Sequence, residues 1–306
     1  MTTTSVVLRM LAAGCLLVAG GASAVAGLIA QDDFESYPFG QLEPASGSAP
    51  YGGTGWASVW NVLDAERARV QIAGHSMSYI AGTVYSLGGT TALRLEPGND
   101  SGGMLLMSRS PGTLTGTVYV SMLLQAPTIL QNTGGNTTDD FLQFGMDSSF
   151  TNPRVSGGVA HPSGNPNPYF FARTTTSATN STFGTAAVDP AQTYLVVLKF
   201  SGGYDRTDVY VNPVSDDESA HTPITRTGAS GVTTLSELIF RTARHESGLD
   251  WYYIDNLMVG TTFADVVPIP EPSAVALCLV AVGTLSLARL AGRRGLRTPG
   301  QVTARC

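Results

Sequence analysis

Hydrophobic positions along the chain follow two patterns. Residues 10–18 form an unbroken apolar stretch near one end, and residues 274–290 a largely apolar run near the other that takes in Arg289. Between them, apolar residues come in short segments rich in β-branched and aromatic types, punctuated by Gly, Asn, Asp and Pro at irregular spacings. Such segments predict strands and turns. Strands are predicted over 117–124, 141–146, 169–175, 193–200, 208–212, 238–241 and 251–259. In the first of these Val118, Val120, Met122 and Leu124 alternate with their neighbours, which predicts an antiparallel sheet with one face in a core. Residues 131–139 and 160–167, built from Asn, Gly, Thr and Pro, predict loops. No segment of the middle region holds a helical period, and there is no internal repeat.

The first apolar stretch follows a short segment with one positive charge, Arg9, and precedes the small residues Gly20, Gly21, Ala22, Ser23, Ala24, Val25 and Ala26. That order predicts a secretory signal peptide over 1–26, cleaved after Ala24 or after Ala26. Cys15, behind Ala12, Ala13 and Gly14, allows a lipoprotein reading, but the apolar core runs on past it. The second stretch predicts a membrane helix over 274–291, near the lower length limit of about 17 residues for a span. A basic cluster at 293–297, with Arg293, Arg294 and Arg297, would stop transfer and hold the C-terminus in the cytoplasm. Just ahead of the helix stands Pro270-Glu271-Pro272.

Residues 267–306, with that motif, helix and arginines in that order, resemble the PEP-CTERM family of sorting signals. The resemblance implies recognition of Pro270, Glu271 and Pro272 by an exosortase-type processing enzyme. It further implies a protein held in the inner membrane before processing and then carried to the surface or matrix of a cell that makes exopolysaccharide. A plain C-terminal membrane anchor would show the same hydropathy. The domain between leader and tail spans 27–266.

Composition narrows what that domain can do. It is rich in Gly, Thr, Ser, Tyr and Val and poor in Lys and Glu, which suits an all-β fold. All 23 acidic residues lie between Asp32 and Glu271, where only eleven basic residues accompany them. So acidic a domain lacks the basic footprint that nucleic acid requires, and favours divalent cations instead. The three cysteines, Cys15, Cys278 and Cys306, all fall in the end segments. A chain of this length buries a sufficient core without disulfides.

Asp32-Asp33-Phe34-Glu35-Ser36-Tyr37 at the start of the domain and Tyr253-Ile254-Asp255-Asn256-Leu257-Met258-Val259 at its end resemble the opening and closing strands of jelly-roll domains. Both concanavalin A-like (laminin G-like) sandwiches and galactose-binding-like carbohydrate modules share that look. The resemblance implies a two-sheet antiparallel jelly-roll sandwich with first and last strands side by side. Asp33, Glu35 and Asp255 would then meet, and oxygen ligands from two strands suit a structural Ca²⁺. The alternative is that these carboxylates are exposed or paired with an arginine such as Arg241.

Catalytic signatures are missing. Laminarinase-like sandwiches carry Glu-x-Asp-x-x-Glu on one strand, and no Glu here has Asp two residues on. There is no Gly-x-Ser-x-Gly elbow and no glycine-rich phosphate loop, and His75, His161, His221 and His245 lack zinc spacing. Trp56, Trp60, Tyr79, Tyr85, Trp251, Tyr252 and Tyr253 offer stacking platforms for sugars, or core packing. The expectation is a non-catalytic envelope or matrix protein with a domain that binds glycan; the alternative is a secreted polysaccharide-acting hydrolase or lyase on the same fold.

Overall fold

The computed structural model describes residues 27–42, 52–63, 69–81, 85–96, 104–126, 141–162, 165–243 and 251–267. The predicted leader at 1–26, the Pro270–Pro272 motif, the apolar segment with Arg293, Arg294 and Arg297 after it, and the predicted loop at 131–139 lie outside them.

Among the described residues eighteen strands occur, in the order β1 (Leu28–Asp32), β2 (Gly40–Gln41), β3 (Asn61–Val62), β4 (Val70–Ala73), β5 (Tyr79–Ala81), β6 (Tyr85–Leu87), β7 (Ala92–Leu95), β8 (Met104–Arg109) and β9 (Val118–Gln125). They continue with β10 (Phe141–Asp147), β11 (Val155–Ala160), β12 (Tyr169–Arg173), β13 (Ser181–Ala187), β14 (Thr193–Ser201), β15 (Arg206–Val211), β16 (Ile224–Thr227), β17 (Glu237–Ala243) and β18 (Tyr252–Gly260). One short helix, α1 (Phe263–Val266), follows β18. All seven predicted strands are present; the loop expected at 160–167 begins after β11 ends at Ala160.

The fold is all-β and the strands pair antiparallel. A nine-stranded sheet runs β16-β15-β14-β9-β18-β7-β4-β2, with β1 also on β18, and a seven-stranded sheet runs β13-β12-β11-β10-β17-β8-β3. First and last strands lie side by side, with Asp32 opposite Leu257. Inward residues of both sheets, among them Val120, Met122, Leu124, Phe144, Val196, Phe240 and Ile254, share one core. This is the two-period alternation of a sandwich.

The alternation expected of 118–124 does not separate a buried face from an exposed one. Tyr119, Ser121 and Leu123 are buried too, because a second apolar layer covers that side. The β5–β6 hairpin contributes Tyr79 and Leu87, with Met77 just before it, and α1 contributes Phe263 and Val266, with Val267 just after it. Ser121 Oγ donates to the Val266 carbonyl at 2.6 Å, and a capping box between Thr262 and Asp265 starts α1.

Candidate functional site

Strand β18 pairs with β7 through Tyr252, Tyr253 and Ile254, and with β1 from Leu257 onward. Asp255 and Asn256 therefore face the join where β7 begins and β1 ends. The ladder between β18 and β9 is irregular here, shifting between Asp255 and Met258, and Asn256 takes a left-handed φ of 48°. Asn tolerates that region because its short polar side chain bonds locally. The bulge turns Asp255 into the join, where its side chain is fully buried.

Glu35 reaches the same place from the turn after β1. Its carboxylate accepts from the N–H and hydroxyl of Thr90, at 2.5 and 2.9 Å, and from those of Thr91, at 2.9 and 3.2 Å. A Cβ added to Gly89 would lie 2.1 Å from Glu35 Oε1 and 3.5 Å from Asp255 Oδ2. The two carboxylates thus converge on one point that only glycine leaves open. Asp33 stands beside them, exposed, with Oδ1 accepting from the Glu35 N–H at 3.2 Å. A cleft of about 330 Å³ lined by Asp33, Ser36, Thr54, Asn256 and Met258 opens next to the group.

The two acids differ electrostatically. Burial works to raise the pKa of Glu35, but the four Thr90 and Thr91 bonds outweigh it and hold the carboxyl below the usual range. Asp255 is pushed up to about 7, first by burial and then by the charges of Glu35 and Asp33, against bonds from Asn256. Its Oδ1 accepts from the Asn256 N–H at 2.7 Å, while Oδ2 has no hydrogen-bond partner. A buried, unsatisfied carboxylate oxygen beside a second carboxylate is costly unless a cation completes it. Among the described residues no three His, Cys, Asp or Glu side chains form a metal-holding group. Glu35 and Asp255 are the pair that the fold joins, and Ca²⁺ takes its other oxygens from carbonyls and water.

Arg241 is not their counter-ion. It lies in the other sheet, where its Nη1 donates to Gln143 Oε1 at 3.3 Å and its guanidinium stands 4.8 Å over the Phe141 ring. The aromatic residues serve mainly as packing. Trp60 and Tyr252 belong to the main core and Trp56 packs against it; Tyr79 belongs to the outer layer. Tyr253 stacks on His75 at 3.6 Å, and Trp251 lies beneath Arg94. His221 Nε2 bonds Ser215 and His75 Nε2 bonds Gln125 Oε1 at 2.7 Å.

Sequence reading missed a second charged group. Arg109 of β8 donates through Nη1 to the Asp32 carboxylate and to Tyr37 Oη, through Nη2 to the Gly52 carbonyl and through Nε to the Ser58 carbonyl. Trp56 and Trp60 flank its guanidinium at 4.7 and 5.5 Å. Asp32 also accepts from Tyr37 Oη and the Phe34 N–H. No local spacing announces partners 77 residues apart.

No protein-family model and no curated protein sequence matches the chain. Among solved structures it is similar to a sialidase, with TM-score 0.43 and 16% identity over 68% of this chain. It spans 17% of that sialidase's length. It is also similar to the VIP36 exoplasmic/lumenal domain in its Ca²⁺/Man2-bound form, with TM-score 0.39, 10% identity, and coverage of 66% of this chain and 84% of that one. The Emp47p carbohydrate recognition domain gives TM-score 0.40 and 11% identity over 79% of this chain and all of that one.

Proposed function

We propose that this chain is an exported, non-catalytic envelope or extracellular-matrix protein whose jelly-roll sandwich binds glycan and is tied together by a structural Ca²⁺. The observation that carries the binding role is the outer face of the seven-stranded sheet. Both outer faces carry apolar clusters, one around Phe263 and Val266 and one of Phe141, Ala160, Phe171 and Phe183, and in the second Gln143, Arg173 and Arg241 lie among the rings of Phe141 and Phe171. Amide, guanidinium and ring faces together are the chemistry that holds sugars.

Glu35 and Asp255 would hold the cation, which when bound supplies the positive charge that Asp255 lacks. Export rests on the leader at 1–26. Sorting rests on Pro270, Glu271 and Pro272 ahead of the apolar tail and its arginines, which give the exosortase-type enzyme its motif and the membrane its temporary anchor.

A panel of β-glucans and envelope polysaccharides tests the domain: saturable binding without turnover supports the reading, and turnover overturns it in favour of a hydrolase or lyase. Intact mass of the protein from its own cells tests the tail. Loss of the mass beyond residues 270–272, blocked by Glu271→Ala, is the expected result; a full-length tail in both would leave a plain membrane anchor.

A further inference from the structure

At one edge of the sandwich β12 and β13 of the seven-stranded sheet face β15 and β16 of the nine-stranded one. They meet closely at Gly184, where an added Cβ would lie 2.8 Å from Ile224 Cδ1. Beside that contact opens a cleft of about 430 Å³, a size common for sites that hold small molecules. Its floor is apolar: Phe170 and Tyr194, in edge-to-face contact at 5.1 Å, with Val211 and Ile224. Ala186, two residues on from Gly184 and so on the same face of β13, lines the cleft and is exposed.

Three polar groups border the floor, and bonds within the chain leave each with capacity to spare. Tyr194 is 7% exposed. Its hydroxyl accepts from the Asp189 N–H at 2.7 Å, which leaves its own proton to give, and among the described residues no acceptor takes it. Burial, and then the charge of Asp189, raise this phenol against the bond from the Asp189 N–H, so it is a neutral donor at physiological pH. Asn212 Oδ1 accepts from the Leu195 N–H at 3.0 Å. That bond fixes which way the amide points and leaves the Nδ2 hydrogens to donate. Asp189 Oδ1 accepts from the Ala191 N–H at 2.9 Å, and the carboxylate has further lone pairs to offer. It is the one charged side chain among the residues lining the cleft, and among the described residues no cation pairs with it.

The cleft thus offers two donors and one carboxylate over an apolar floor. Asp189 repels an anionic ligand. A plain hexose would set hydroxyls against Phe170, Val211 and Ile224, where nothing bonds them. An acetamido group instead carries an acceptor oxygen, a donor N–H and a methyl together. We infer that this cleft is a subsite for an N-acetylated amino sugar: the acetamido oxygen accepts from Tyr194 and Asn212, the N–H donates to Asp189, and the methyl rests on the floor. This rests on the glycan-binding reading and names a class of sugar for it.

Titration calorimetry of the full chain against three matched trimers, of N-acetylglucosamine, of glucose and of unacetylated glucosamine, tests this. The expected result is binding of the acetylated trimer about tenfold tighter than of the other two, since a site built to bond a group rejects the analogue without it. Ala186→Trp, which fills the cleft from an exposed position, should abolish that preference with the unfolding midpoint unchanged, while Ala186→Ser keeps it. Tyr194→Phe should weaken the acetylated trimer roughly fivefold, the scale of one hydrogen bond. Preference for glucosamine would overturn the inference, because Asp189 would then be attracting an ammonium and not orienting an amide. Equal binding of glucose and N-acetylglucosamine trimers, or acetylated binding indifferent to Ala186→Trp, would overturn it while sparing the glycan reading. Failure of all three trimers would overturn it too; the glycan reading would fall only if the polysaccharide panel also found no binding.

Discussion

Arg109 and Arg173 belong to the same seven-stranded sheet, and both are almost sealed from water, at 1% and 3% exposure. Arg109 points inward at the end of the sandwich, where a carboxylate, a phenol and two carbonyls receive its N–H groups between two indole rings. Arg173 lies on the outer face with one hydroxyl and one phenyl ring. The aspartates show the same division. Asp32 is raised by burial but held by Tyr37, the Phe34 N–H and Arg109, while Asp255 keeps one oxygen without a donor. A charge balanced within the chain belongs to the architecture. One left unbalanced by a rigid fold, as at Asp255, marks where something from outside completes it.

The sharpest break of this comparison is to remove one partner of the balanced set. Asp32→Ala should leave the Arg109 guanidinium buried without its anion, and breaking such a pair costs about 3–5 kcal/mol. Arg109→Met should cost a similar amount, since it strands Asp32. The double variant should lose less than the two singles added together, because neither charge remains to be desolvated. Urea unfolding of the four proteins measures this. Additive losses would mean that the cluster is not a unit, and with it the contrast to Arg173 would fall.

The next effect concerns Asp255 and depends on pH. Its folded-state pKa stands above its ordinary value, at about 7, so the folded protein keeps a proton that the unfolded chain has given up. Metal-free stability is therefore fullest below about pH 4, falls as pH rises toward 7 and stays low above it. At about 1.4 kcal/mol per pKa unit, the fall amounts to roughly 4 kcal/mol at most. Asp255→Asn should remove that dependence and make the chelated protein more stable at pH 8 than the parent. Ca²⁺ should raise the parent's midpoint at pH 8 and leave Asp255→Asn largely unmoved. A midpoint indifferent to chelator in the parent would remove the cation from the join between β1, β7 and β18.

Much of this architecture was legible in the sequence, for identifiable reasons. The seven predicted strands carry β-branched and aromatic runs, as in the VVLKF segment of β14, whereas β8, β11 and β13, of six or seven residues, are built partly from Ser, Gly, Thr, Ala and Met and fall outside the prediction. Pieces such as β2 and β3, two residues each, carry no period to detect; their neighbours hold them. The meeting of Glu35 and Asp255 was foreseen because the two end motifs imply adjacent strands. Thr90, Thr91 and Gly89, which fix the geometry, lie in an unremarkable Gly-Thr run. Arg173 lies within the strand predicted over 169–175, and only register sets it across Ser156 from Gly145. That no carboxylate among the described residues pairs with it is a property no local segment displays.

The smallest effect lies on the opposite sheet, where a charge is balanced but partly wet. Glu218 accepts from Lys199 Nζ at 2.6 Å, from Tyr119 Oη at 2.7 Å and from Tyr210 Oη. Its side chain and that of Lys199 remain 28% and 22% exposed. Burial opposes its charge, but the bonds from Lys199 and the tyrosines outweigh it and hold the pKa below the ordinary range. The stabilisation is therefore present at neutral pH and disappears as pH falls through the carboxylate range. Glu218→Gln should cost about 1–2 kcal/mol at pH 7, the scale of a few partly hydrated charge-assisted bonds, and nothing below about pH 3. Burial first, and then the bond to Glu218, push the Tyr119 phenol up to about 12, so ultraviolet titration should find it lower in the variant. If the loss instead equalled that of Asp32→Ala, exposure would not be what separates the two clusters, and the ranking by burial would have to be replaced by one based on the number of bonds to each carboxylate.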